Sequence, residues 1–140
     1  CIIRRIIMLK KIFFTLIFTT LLFADFSTMS TKQVQDAIKN GVTIIDIRRE
    51  DEWKHYGVIE GSHKITFFDE QGGYNGVKWL KEFTKVVKTK DQPFILVCAH
   101  ANRTKVVGKM LFQQLRYTKV YDLDGGIKYG WLDKGLKTVK

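Results

Sequence analysis

Phe94-Ile95-Leu96-Val97-Cys98-Ala99-His100-Ala101-Asn102-Arg103-Thr104 is the stretch that decides how this chain folds. Four apolar residues of strand type run directly into a cysteine. Four residues then separate that cysteine from an arginine, and Val107, Leu111 and Leu115 follow at intervals of four. A short, continuously apolar run reads as a strand buried on both faces, and a four-residue recurrence reads as a helix over 103–116. The turn between them places a thiol beside backbone N–H groups at the positive end of a helix. Both features stabilise a thiolate, or an anion bound to it. Such surroundings lower a cysteine pKa from about 8.5 into the range of roughly 3.5–7.5, and the thiolate is the nucleophile. Cys98 is therefore the candidate catalytic residue.

Working outward, the same alternation recurs. Ser30 reads as an N-cap and Gln33 completes a capping box. Val34, Ala37 and Ile38 form a helical stripe that Gly41 ends. Residues 42–46 read as a buried strand, 48–56 as a charged loop with a short helix, and 64–68 as a second strand. The stretch 69–76 is rich in turn residues. Val77, Leu80, Phe83 and Val87 mark another amphipathic helix. Residues 119–123 form a further strand, and Gly125-Gly126 turns the chain into a last short helix near 127–134. Strands alternating with helices predict an α/β fold with a parallel sheet flanked by helices on both faces. Ligands in such folds sit at the carboxyl ends of strands, where Cys98 falls. The chain has one proline, no repeat and no low-complexity segment, so residues 25–140 are expected to form a single domain.

Residues 1–24 read differently. Arg4, Arg5, Lys10 and Lys11 precede an apolar run from Ile12 to Ala24, which stops at Asp25. This is the pattern of a secretory signal, with Leu22-Phe23-Ala24 as the cleavage site and Met8 as the expected start of translation. The run is short for a membrane span, which needs about 18 residues or more. An uncleaved anchor is the alternative, and only then would the protein meet a membrane. Export, to the periplasm of a double-membrane cell, is the expected destination. Four of the 24 basic residues and none of the 14 acidic ones lie in this segment, so its removal lowers the net charge from +10 to +6. A moderately basic domain favours small anionic substrates. The lysines are scattered and no aromatic–basic repeat interleaves them, which argues against nucleic acid. Of the two cysteines, only Cys98 remains after cleavage, so no internal disulfide can form. His55, His63 and His100 fit no ligand spacing, so neither a metal nor another cofactor is expected.

Four segments together resemble the rhodanese domain family. Val42-Thr43-Ile44-Ile45-Asp46-Ile47-Arg48, with Glu52-Trp53 after it, resembles the family's first signature. Gly57 to Ser62 resembles the second, Cys98 to Arg103 the active-site loop, and Val120 to Ile127 the C-terminal signature. The resemblance covers about residues 30–136. It implies a sulfurtransferase in which Cys98 accepts sulfane sulfur from thiosulfate or a similar donor, becomes a persulfide, and passes the sulfur to a thiophilic acceptor such as cyanide or a thiol. Backbone N–H groups from Ala99 to Thr104 would cradle the persulfide. A related phosphatase and arsenate-reductase branch has five residues between cysteine and arginine; the four here, Ala99, His100, Ala101 and Asn102, favour sulfur over a tetrahedral oxyanion. The same resemblance admits a polysulfide carrier, or a non-catalytic interaction module whose protein partner the sequence does not identify. Three positions depart from the family: Val58 stands for a usual histidine, Ala101 for a frequent glycine, and Trp131 falls one place late. If position 101 needs positive φ, alanine there is strained by about 1 kcal/mol or more.

The other site residues carry open roles. His100 either binds an anionic donor or faces solvent. Arg103 either faces the bound anion or turns back onto Asp46 or Glu52; the short loop favours the second. Asn102 and Thr104 are expected to satisfy loop backbone or cap the following helix. Asp46 and Arg48 are expected to support the site from the neighbouring strand end. Trp53, Trp79 and Phe83 read as packing residues, and Phe67 and Phe68 as candidates for the pocket mouth.

Overall fold

A strand buried on both faces belongs at the centre of a sheet, and Phe94–Val97 lies there. The computed structural model describes residues 26–140; the signal or anchor segment expected over residues 1–24 lies outside them. The strands are Ser27–Met29 (β1), Thr43–Asp46 (β2), His63–Lys64 (β3), Phe94–Val97 (β4) and Val120–Leu123 (β5). All pair in parallel, in the order β1-β5-β4-β2-β3. The helices are Thr31–Lys39 (α1), Glu50–Tyr56 (α2), Gly76–Phe83 (α3), Asn102–Lys109 (α4) and Gly126–Gly130 (α5). Among the described residues no helix is long and apolar enough to cross a membrane.

Successive side chains of a strand point to opposite faces. Phe94 and Leu96 join Trp79 and Phe83 of α3 and Val107 of α4 in one core. Ile95 and Val97 join Val34 and Ala37 of α1 and Ile127 of α5 in the other. Helices thus cover both faces, as the alternation of elements predicts. The capping box at Ser30 and Gln33 starts α1.

Four features differ from the sequence reading. β1 was not anticipated: Ser-Thr-Met has no apolar run, and it becomes a strand because β5 presents an open edge to it. The strand expected at 64–68 shrinks to His63–Lys64, although the N–H groups of Ile65 and Phe67 still donate to Asp46 and Ile47. The helix expected over 103–116 gives way at Met110 to a π-helical turn, where the Leu115 N–H reaches the Met110 carbonyl. In α3 the buried stripe runs through Trp79 and Phe83, while Val77 is 83% exposed. Trp79 is drawn inward because its indole N–H finds the Ile65 carbonyl at 2.9 Å.

Candidate active site

From the adjacent strands β2 and β4 the chain departs in opposite directions, through α2 to β3 and through α4 to β5. The two departing loops diverge and leave a crevice at the carboxyl end of the sheet, the usual ligand position in such folds. It encloses about 550 Å³, between Arg48, Arg49 and His55 on the β2 side and Ala99 and His100 on the β4 side. Cys98, immediately after β4, is 1% exposed.

The loop after Cys98 is held by α5. The Ile127 N–H donates to the Cys98 carbonyl at 2.9 Å and the Lys128 N–H to the Ala99 carbonyl at 3.0 Å. In a planar trans peptide the next N–H points opposite to the carbonyl. The N–H groups of Ala99 and His100 therefore point away from α5. Among the described residues, neither these two nor the N–H groups of Ala101 and Asn102 donate to a protein acceptor. Four free donors thus follow the sulfur along the chain and lead into the N-terminus of α4. That is an arrangement for holding an anion. The turn depends on Ala101, which adopts φ 67 and ψ 11, a left-handed conformation. The strain foreseen for alanine here is therefore present. The close approach of α5 depends on Gly126, where a Cβ would lie 2.4 Å from the Ala99 carbonyl oxygen.

Arg103 does not face the sulfur with its charge free. Both of its terminal nitrogens meet Glu52 at 2.7 Å in a bidentate pair that ties α4 to α2. The hydrogen bonds that Arg103 donates to Glu52 raise the Arg103 pKa, burial opposes them, and Cys98 and Asp46 add smaller attractions. Burial alone would raise the Glu52 carboxyl; the hydrogen bonds of Arg103 and the Arg49 backbone outweigh it and hold the group below the usual carboxylate value. Asp46 and Arg48 lie at the end of β2, beside the crevice. They form a buried pair at 2.7 Å, and Arg48 also donates to the Gly57 carbonyl, which fixes the turn after α2.

Two expectations are corrected. Asn102 is exposed, and no side chain caps α4. Thr104 caps nothing either: its hydroxyl lies 3.7 Å from the Cys98 sulfur and donates to Asp122 at 2.8 Å. The cause is geometric, since Thr104 sits on the buried side of α4 facing the ends of β4 and β5. Phe67 and Phe68 do not line the mouth above Cys98. Phe67 is in the core and, with Tyr74 and Trp79, borders a separate groove. His100 lines the crevice beside the ring of Tyr129, 5.2 Å between centroids. Sequence reasoning missed Asp122; a lone acid inside an apolar strand was the available signal.

The domain is thus a parallel α/β sheet with a cysteine loop at the end of its central strand. The family model for the rhodanese-like domain matches residues 30–133, and the chain belongs to that family. Among solved structures, a Rhodopseudomonas palustris protein of unknown function, described as a possible tyrosine phosphatase, is 25% identical, with 82% of this chain covered, 85% of that one and a TM-score of 0.58. The polysulfide-sulfur transferase homodimer of Wolinella succinogenes is 23% identical, with coverages of 84% and 81% and a TM-score of 0.60. A protein from M. tuberculosis is 18% identical, with coverages of 79% and 95% and a TM-score of 0.62. The last two likenesses are of fold. No curated protein matches the chain.

Proposed function

We propose that the protein is an exported sulfurtransferase that carries sulfane sulfur as a persulfide on Cys98. The observation that carries this reading is the run of four unbonded N–H groups, Ala99 to Asn102, that follows the sulfur at the end of the central strand. The Cys98 thiolate attacks the outer sulfur of a donor, the donor's S–S bond breaks, and the leaving group departs with its electron pair. With thiosulfate that group is sulfite; with polysulfide it is the shortened chain. A thiol or cyanide then attacks the outer sulfur of the persulfide, and Cys98 leaves as thiolate. The amides supply fixed electrostatic stabilisation at each stage, and no step requires a metal.

Charge pairing favours polysulfide over thiosulfate as the donor. Arg48, Arg49, Arg103, Lys105 and Lys128 are paired with Asp46, Asp51, Glu52, Asp122 and Asp133 respectively. Among the described residues, none of these arginines and lysines is left unpaired to bind the compact dianion of thiosulfate, whereas a chain donor can lie in the crevice with its terminal sulfur at the amides. The Wolinella succinogenes neighbour, a polysulfide-sulfur transferase, agrees with this preference. The possible phosphatase activity of the Rhodopseudomonas palustris neighbour is not carried over, because four loop residues leave less room for a tetrahedral oxyanion.

Intact mass tests the proposal, using the full chain carrying Cys1→Ser, incubated with polysulfide or thiosulfate beside a Cys98→Ser control. Gain of sulfur that depends on Cys98, faster from polysulfide, is expected. No gain from either donor overturns sulfur transfer in favour of a non-catalytic module. Fractionation of cells expressing the full chain tests export.

A further inference from the structure

A buried polar chain runs from the sulfur to the far side of β5. Thr104 Oγ1 lies 3.7 Å from Cys98 Sγ and 2.8 Å from Asp122 Oδ2. Cys98, Thr104 and Asp122 are each at most 1% exposed. The Thr28 hydroxyl of β1 donates to Asp122 Oδ1 at 2.7 Å, and the Lys105 ammonium of α4 pairs with Oδ2.

A threonine hydroxyl has one proton to donate. A carboxylate ion-paired with lysine only accepts, so Thr104 commits its proton to Asp122. Its lone pairs then face Cys98 and take the thiol proton as a hydrogen bond. This arrangement suits the thiol and opposes the anion, because a thiolate would face bare lone pairs. The conflict disappears if the hydroxyl turns about its C–O bond and donates to sulfur. No heavy atom need move. Asp122 can release it, since Thr28 and Lys105 still serve both carboxylate oxygens.

We infer that Thr104 is a two-position hydrogen-bond donor to Cys98, and that Lys105, acting through Asp122, is the positioning residue that frees it when the sulfur becomes an anion. The thiol proton goes to solvent, not to Asp122, so the chain is a hydrogen-bond switch and not a proton relay. The groups that face it are Asp122 and Thr28 from β5 and β1, Lys105 from α4, and the Arg103 guanidinium, which feels Cys98 while held by Glu52. The inference rests on Cys98 being the reacting nucleophile.

The test is the ultraviolet absorbance of the Cys98 thiolate against pH, in the full chain carrying Cys1→Ser and referenced to Cys98→Ser. Four proteins are compared: the parent, Lys105→Gln, Thr104→Val and the double variant. Each single substitution should lower the thiolate fraction at a fixed pH by about tenfold, the loss of one hydrogen bond to an anion. In the Thr104→Val background, Lys105→Gln should add less than about threefold, because the hydroxyl it acts through is gone. Thr104→Ser should restore the parent profile, which a merely structural role would not do. If Thr104→Val does not fold, Thr104→Ala supplies the second background. An equal Lys105→Gln effect in both backgrounds would mean a through-space field and overturn the inference; so would an unchanged profile in Thr104→Val. No sulfur donor is present, so this outcome is independent of sulfur loading: loading with additive shifts sinks the switch alone, and coupled shifts without loading sink the transfer reading alone.

Discussion

Gly126→Ala puts a methyl group where the backbone leaves no room. The added Cβ would lie 2.4 Å from the Ala99 carbonyl oxygen and 2.6 Å from both the Ala99 carbonyl carbon and the Cys98 oxygen. All three are main-chain atoms, so no flexible side chain can swing aside. Gly126 also has φ +65, where an alanine costs about 1–2 kcal/mol. α5 must retreat from the loop, and the hydrogen bonds from Ile127 and Lys128 to Cys98 and Ala99 lengthen with it. Each such bond contributes about 0.5–1.5 kcal/mol. Together these terms give a loss of about 2–5 kcal/mol, against a total stability of about 5–15 kcal/mol for an ordinary domain. Urea denaturation measures the first consequence. The second is the rate of mass gain with polysulfide, read on the same samples well below the unfolding transition. Loading per folded molecule should slow by about tenfold or more, because the Ala99 and His100 donors lose their aim. A variant within about 1 kcal/mol of the parent that loads at the parent rate would refute the claim that α5 sets the loop.

Phe83 is fully buried against the rings of Trp79, Phe94 and Tyr117, so Phe83→Ala should lose about 3–5 kcal/mol by urea titration. Val77→Lys on the same helix should change stability by less than about 0.5 kcal/mol; a large loss there would mean that Val77 packs with the rest of its stripe. Arg103→Lys replaces a two-pronged contact with a single ammonium, and should cost about 1–2 kcal/mol while slowing sulfur loading; unchanged loading would remove Arg103 from loop support. The folded Glu52 carboxyl titrates below its ordinary value of 4.5. Its contribution to stability is complete above that value and is lost as pH falls through the lower folded value. Glu52→Gln should therefore flatten that acidic part of the stability–pH curve, and parallel curves for the two proteins would show that the Arg103 pair does not supply it.

Periodicity made the frame readable. The apolar run at Phe94–Val97 placed the central strand at its observed bounds, and the alternation of elements implied a parallel sheet. Where elements depend on partners rather than on their own residues, the pattern was silent. β1 is three residues of middling preference recruited by an open sheet edge. Val77 has the right spacing for a core residue, yet it lies exposed at the start of α3, while Leu80, Phe83 and Val87 of the same stripe pack inward beside Trp79. Within the site, Cys98 was legible because a thiol at the junction of strand and helix is locally unusual. The choice between Asp46 and Glu52 as the partner of Arg103 was not, since both lie near the β2 end and only packing decides between them. Asp122 gave one weak sign, an acid in an apolar strand, and its partners Thr104, Lys105 and Thr28 come from two other elements.

Three kinds of rule-breaking meet at the carboxyl end of the sheet. Ala101 sits in a left-handed conformation, Asp122 is a fully buried acid, and four loop amides lack acceptors among the described residues. Rule-breaking of this kind is expected where a site is built rather than merely packed. The way its charge is managed says what it is built for. Each arginine or lysine named around the crevice is paired with a carboxylate, so the field over Cys98 comes mainly from oriented amides. Amides do not titrate, and their dipoles are fixed before any anion forms. The field of the amides is therefore set before any anion forms and does not change with pH. The amides favour the anion over the neutral thiol by a fixed amount; a response that follows the state of the sulfur needs a group that can reverse its hydrogen bond. Of the side chains that touch Cys98 through a hydrogen bond among the described residues, that group is Thr104.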